Sequence, residues 1–329
     1  MLEEQVIIDG CAFASKNFPG NNKLLNNSNI DIFFFTVPNS NEGFKEACKG
    51  IINIYNNSDK NSHILPRTYK EIKNSIGKSK IIIIPAFQDP IPIENNIDLL
   101  KIFFKLGVRI IQLTYNKANY IGSGCVEFTD SGLTDFGKEV VKEMNKLGII
   151  IDLSHSSFKT TIDSIKLSKD PVIFSHANAQ KITSNPRNKT DKEIKLMAEK
   201  GGVIGVTPWG PLCMKKGDQN KPTIEDYLDH VDYIVELVGI DHVGFGSDNT
   251  IDNNKDIEGT KEQAELYPEI VSDYNIRVPD PEERHVDGFT NIAELPNVIL
   301  GMQKRGYMDE EISKFLGGNF LRVIKQVWK

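Results

Sequence analysis

The chain has 329 residues, an apolar share of 39% and a formal net charge of −6. That acidic balance, with no basic block, argues against a nucleic-acid partner, and the apolar share at this length is ample for a sizeable core. The length exceeds an ordinary domain, yet one α/β barrel routinely takes ~250 residues or more, so residues 1–329 are expected to form a single domain.

Val6 to Asp9 is a short apolar run closed by Asp9-Gly10, which predicts a first strand and a turn. A polar loop is expected from Lys16 to Asn29, and Ile32 to Val37 predicts a second, buried strand. Phe44 to Tyr55 has helical spacing, and Ile81 to Phe87 predicts a third strand. Leu99, Leu100, Phe103 and Phe104 line a helix ending at Gly107, after which Val108 to Thr114 reads as the fourth strand. Asp135 to Leu147 has its apolar residues on one helical side and is stopped by Gly148. The fifth to eighth strands are Ile149–Leu153, Val172–Phe174, Val203–Thr207 and Val243–Asp248, with helices at 191–199 and 227–238 between them. The stretch 249–288 is too long for a structureless loop and is expected to be a partly ordered excursion over the barrel mouth. Two closing helices follow, Ile292–Arg305 and Asp309–Trp328, the second broken at Gly317-Gly318-Asn319. Eight strands alternating with helices close most economically into a single (β/α)8 TIM-type barrel with C-terminal helices.

The four cysteines, Cys11, Cys48, Cys125 and Cys213, lie far apart without a Cys-x-x-Cys pair, so neither a disulfide framework nor a zinc ribbon is indicated. The amino terminus has no basic and apolar leader pattern, and no run approaches the ~18 apolar residues of a membrane span. A soluble cytoplasmic protein is therefore expected.

Chemistry concentrates between Gly148 and Asp191. The fifth and sixth strands each end in Ser-His, giving His155 and His176, and strand carboxyl ends are where barrels collect ligands. One histidine at a strand end is more often structural, but two at neighbouring strand ends can reach one ion, and imidazole suits zinc. Asp248, ending the eighth strand, could ligate or take a proton from an attacking water, a set that describes metal-assisted hydrolysis. Arg187 could clamp a substrate carboxylate through its planar fork, or serve only as a surface charge or helix cap.

These residues sit in longer motifs: Asp-Leu-Ser-His-Ser-Ser (152–157), Phe-Ser-His-Ala-Asn-Ala (174–179), Arg-Asn-x-x-Asp (187–191), Gly-Gly-Val-Ile-Gly-Val (201–206), Asp-His-Val-Gly-Phe-Gly-Ser-Asp (241–248) and Gly-Gly-Asn-Phe-Leu-Arg-Val (317–323). Together they resemble the membrane (renal-type) dipeptidases over nearly the whole chain. The resemblance implies a (β/α) barrel with two zinc ions bridged by a glutamate, cleaving dipeptides and some β-lactam-like amides. By position it implies that His155 and His176 hold one zinc, that Arg187 grips the substrate's terminal carboxylate, and that Asp248 is the acid/base. Three positions depart from the family pattern. Its first strand ends Asp-Gly-His-x-Asp, where this chain has Cys11 and Phe13; the bridging glutamate falls at Gln88; and the histidine facing the reacting carbonyl falls at Tyr115, which can still donate a hydrogen bond. The expectation is a zinc-dependent hydrolase of a small dipeptide or amide with a reduced metal centre, one ion in preference to two, with an empty site also conceivable. Its metal residues are His155 and His176, its substrate residues Arg187 and Tyr115, and a homodimer is admissible. The alternative is a barrel without catalysis that binds a small carboxylated ligand or a partner protein.

Overall fold

A computed structural model of the chain describes residues 5–14, 23–38, 42–58, 63–78, 81–215, 217, 220–251 and 284–328. Its centre is a ring of parallel strands: β1 (Ile8–Phe13), β2 (Ile32–Thr36), β4 (Ile81–Phe87), β5 (Ile110–Gln112), β6 (Ile150–Asp152), β7 (Val172–Phe174), β8 (Val203–Val206) and β9 (Val243–Phe245), while the two-residue β3 (His63–Ile64) pairs with β4 off that path. The eighth strand is interrupted at Gly246–Asp248 and resumes as β10 (Asn249–Thr250). β9 pairs with β8 and β10 with β1, so the two pieces together close the ring. The single strand expected over 243–248 is thus split, because Asp248 takes a left-handed backbone at φ 51.

Strand alternation sorts the apolar residues. Ile8, Ile32, Phe34, Ile82, Ile84, Ile110, Ile150, Ile173 and Val203 form one buried cluster, while Phe33, Phe35, Ile83, Ile111, Ile151 and Phe174 belong to the larger cluster shared with the surrounding helices. A barrel interior must be filled by side chains, and here the C-terminal helix helps to fill it. Phe320, Val323, Ile324 and Val327 of that helix join the first cluster, and the Phe320 ring meets Phe34 edge-on at 5.2 Å. Gly10 answers the same crowding. A Cβ there would lie 2.6 Å from Ser175 O and 3.0 Å from Phe320, so glycine is needed for close approach and not for a turn. This corrects the expected turn at Asp9-Gly10: the first strand runs on to Phe13.

The helices are α1 (Lys23–Asn27), α2 (Phe44–Ser58), α3 (Tyr69–Ser75), α4 (Asp98–Leu106), α5 (Asp135–Leu147), α6 (Phe158–Leu167), α7 (Asp191–Glu199), α8 (Ile224–Val238), α9 (Leu295–Lys304), α10 (Asp309–Ser313) and α11 (Asn319–Val327). α5 starts at Thr134, whose hydroxyl accepts from Gly137 N at 2.9 Å, and ends at Gly148 with φ 79. α7 starts in a Thr190/Glu193 capping box. α1 occupies part of the expected polar loop at 16–29; residues 15–22 of that loop lie outside the described residues. The expected break at 317–319 is instead a π turn over Lys314–Gly318 that runs into α11. Asn319 Nδ2 donates to Ile240 O and Val243 O at 2.7 and 2.8 Å, which ties α11 to the start of β9. Among the described residues no helix is long and apolar enough to cross a membrane. Most of the excursion, residues 252–283, lies outside the described residues; its far end returns to the barrel, where Trp209 bridges to His285 and Thr223 to Asp287.

Candidate functional site

β6 and β7 lie side by side, so the residues that follow them are placed together by the ring itself. Asp152, at the end of β6, accepts from Ser154 N (3.0 Å), Ser154 Oγ (2.6 Å), Ser175 N (3.1 Å) and Ser175 Oγ (2.5 Å). Both serine hydroxyls thus donate to one carboxylate, and Ser175 Oγ is left to accept from His176 Nδ1–H at 2.8 Å. His155 Nδ1–H donates to Asn116 Oδ1 at 2.7 Å. With both Nδ1 atoms protonated, each Nε2 carries a bare lone pair, and the two Nε2 atoms face one another 3.1 Å apart. His155 is 5% exposed and His176 fully buried. Burial, reinforced by the Arg187 and Lys189 charges, holds both rings well below the ordinary histidine range and keeps them neutral.

Other expected site residues gather at the same end. Tyr115 stacks on His155 with ring centroids 4.3 Å apart and 23° between planes. Arg187 is buried and donates through one terminal nitrogen to Ser154 O and through the other to His176 O at 3.1 Å, so it straps together the ends of the two histidine strands. Only part of its five-donor fork is thereby committed. Asp248 is half-buried, and its oxygen, Cys11 Sγ and a His176 ring nitrogen all lie within 4.8 Å of one another.

On the β1 side the chemistry changes. Cys11 Sγ accepts from Gln88 Nε2 at 2.7 Å and lies 3.7 Å from Asp248 Oδ1. Burial, then the Asp248, Asp9 and Asp152 carboxylates, push its thiol well above the ordinary range, with Gln88 opposing. The Phe13 ring lies under the Arg284 guanidinium at 4.8 Å. A second ion bridged to the first does not fit these residues: a neutral amide stands at the bridging position, phenylalanine offers no ligand atom, and a cationic side chain already covers that ring. One ion does fit the histidine pair. Two nitrogens at ~2.0–2.1 Å from a tetrahedral ion stand about 3.3 Å apart, close to the distance found here.

Sequence pattern alone does not single out Asn116, Lys189 or His285. Asn116 takes a left-handed backbone at φ 52, which aims its amide at His155. Lys189 is 1% exposed, donates to Ser156 O at 2.8 Å and pairs with Glu193 at 3.8 Å; its place two residues after Arg187 was the available signal. His285 comes 37 residues after Asp248 in sequence, yet its Nε2 donates to Ser247 O at 3.3 Å, a placement no local pattern announces.

The family model described as membrane dipeptidase (peptidase family M19) matches residues 32–278 and 277–329. The chain belongs to this dipeptidase family. Dipeptidase tcpJ of Claviceps purpurea is 32% identical over 237 residues, which cover 71% of this chain and 48% of that protein. Dipeptidase verJ of Clonostachys rogersoniana is 30% identical over 269 residues, covering 80% of this chain and 60% of that one, so the chain spans about half of the length of these curated relatives. Among solved structures, an amidohydrolase from Pseudomonas aeruginosa superposes with a TM-score of 0.86 at 31% identity, covering 99% of this chain and 97% of its own. A Rhodobacter sphaeroides metallo peptidase, liganded with a phosphinate mimic of the dipeptide L-Ala-D-Ala, has the same fold at 20% identity and a TM-score of 0.80, with 98% and 99% of the two chains covered. Membership in the dipeptidase family and the barrel agree with the sequence expectation.

Proposed function

We propose that the chain is a metal-dependent hydrolase of dipeptides or related small amides, working with one ion on His155 and His176. The observation that carries this reading is the pair of bare, buried Nε2 lone pairs facing each other at 3.1 Å. Two such acceptors repel unless a cation or proton lies between them; the Asn116 and Ser175 contacts hold each ring's proton on Nδ1, and burial beside Arg187 and Lys189 disfavours a second one. His155 and His176 would hold the ion, zinc by the preference of imidazole, and when bound it would supply Lewis-acid polarisation of the scissile carbonyl. The chain's own residues do the rest. Asp248, held at the mouth by its left-handed backbone, takes the proton of the attacking water and returns it to the leaving amine. Arg187 positions both histidine strand ends and offers its remaining N–H groups to the substrate's terminal carboxylate. Tyr115 packs against His155 and presents its hydroxyl to the substrate.

Metal content of the purified full chain, followed by dipeptide hydrolysis, tests this. The expected result is about one ion per chain, with Asp248→Asn lowering kcat by about 10²- to 10⁴-fold and Arg187→Ala chiefly raising KM. No bound ion, together with no cleavage of any dipeptide in added zinc, manganese or cobalt, would instead favour a barrel that binds a small carboxylated ligand.

A further inference from the structure

We infer that Cys11 is a metal ligand, so that this chain holds its ion through sulfur as well as imidazole, with Gln88 as the residue adapted to the sulfur. The inference rests on the one-ion centre proposed above and goes further by naming its third donor. Cys11 Sγ, a His176 nitrogen and an Asp248 oxygen lie within 4.8 Å of one another; His155 stands outside that group and meets it through His176, whose Nε2 is 3.1 Å from its own. Cys11 is 3% exposed, so its sulfur is shielded from solvent. Three protein ligands would leave a further position for water or substrate, the pattern of catalytic rather than structural zinc. Asp248 Oδ1 lies 3.7 Å from the sulfur, within reach of a molecule bound there.

Gln88 fits the same assignment. It faces Cys11 with a donor, Nε2 at 2.7 Å from Sγ. Donors to a ligating sulfur stabilise its anionic form, whereas a glutamate here would set a second negative charge against thiolate and Asp248 together. The two departures from the family pattern, Cys11 and Gln88, therefore form a matched pair: thiolate with amide in place of imidazole with carboxylate. When an ion takes the sulfur, the S–H bond breaks and one proton leaves, with Asp248 Oδ1 the nearest receiving carboxylate; no oxidant or reductant is involved.

Cobalt(II) titrated into the chelator-treated full chain reads the donor set directly. The expected result is saturation at one cobalt per chain, with visible d–d bands of tetrahedral intensity and a near-ultraviolet sulfur-to-cobalt charge-transfer band. Cys11→Ser should keep the d–d bands and lose the charge-transfer band. Cys125→Ser should keep both, although Cys125 Sγ lies 3.6 Å from Asn116 Oδ1 beside the site. Gln88→Glu should weaken cobalt binding by about 10-fold. Visible d–d bands without charge transfer in the unmodified chain would overturn the cysteine ligand and leave the histidine centre standing. A charge-transfer band that survives Cys11→Ser, or vanishes in Cys125→Ser, would overturn it equally. Failure to bind cobalt at all overturns the one-ion centre as well.

Discussion

On the β6–β7 side of the barrel mouth, Asp152 gathers two backbone N–H groups and two serine hydroxyls, and the histidine beyond it is locked in one tautomer. On the β1–β9 side, Asp9 is built into the same kind of knot: it accepts from Cys11 N at 3.1 Å, Ser247 N at 2.7 Å and Ser247 Oγ at 2.5 Å. The knots differ in what surrounds them. Arg187 and Lys189 lie near the histidine side, whereas burial raises the Asp9 carboxyl to about 7, with the Asp248 charge adding to the rise. Beyond Asp152 stands imidazole; beyond Asp9 stand a thiol and a phenyl ring. The comparison teaches that the strand-end carboxylate is scaffold on both sides and that the ligand identities above it vary separately.

The largest change should come from restoring the β1 side. Cys11→His, Phe13→Asp and Gln88→Glu together should raise metal content by up to one ion per chain. The carboxylate introduced by Phe13→Asp would then face Arg284, which now covers the Phe13 ring. Gln88→Glu alone should leave the stoichiometry unchanged, because Cys11 and Phe13 still withhold the second ion's ligands. Metal analysis of the triple variant decides this, and an unchanged ratio would count against the account of the two sides.

Next in size is the scaffold itself. Asp152→Asn turns one acceptor oxygen into a donor facing serine hydroxyls, and should cost on the order of 3 kcal/mol, as loss of charge-assisted bonds to a buried carboxylate does. It should also loosen the Ser175 contact that fixes the His176 tautomer and reduce metal affinity by about 10-fold or more. Asp9→Asn should cost no more than about 1 kcal/mol, since an aspartate with a pKa of about 7 is substantially protonated at neutral pH and an amide mimics its neutral form. Denaturant midpoints of the two variants at pH 7 give the ranking; equal losses would remove the distinction.

Much of this arrangement is legible in sequence because β-branched and aromatic runs mark each ring strand and Ser-His marks two of their ends. Ile149–Leu153 and Val172–Phe174 need only their composition. The true end of the first strand is hidden because Gly10 looks like a turn former until Ser175 is known to press against it from across the barrel. Asn116 and Lys189 act through backbone conformation and burial, neither of which a single sequence displays. His285 depends on the bridge to Trp209, a contact made across the mouth by the returning end of the excursion. Cys11 and Gln88 read from sequence as two separate losses, and only their 2.7 Å contact presents them as a pair.

The smallest effect at neutral pH, one that grows only as pH falls, concerns a histidine that belongs to neither side. His230 of α8 is fully buried, accepts from Ala179 N through Nδ1 and donates through Nε2 to Thr183 Oγ1, both at 3.2 Å. Protonation at Nδ1 would set two donors against each other, and burial lowers the pKa to about 3 from 6.5. Between those values the unfolded chain binds the proton and the folded chain does not, so stability rises with pH across this window and is lost as pH falls from about 6.5 towards 3. The contribution is at most about 1.4 kcal/mol per pH unit. His285, also lowered to about 3, acts with the same sign. His230→Gln keeps one acceptor and one donor but does not titrate, so its acid slope should be shallower than that of the unmodified chain by that share, while His155, His176 and His285 go on contributing with the same sign. Denaturant midpoints at pH 7, 6, 5 and 4 measure the slope, and parallel curves for the two proteins would show that His230 takes up its proton without opening the fold.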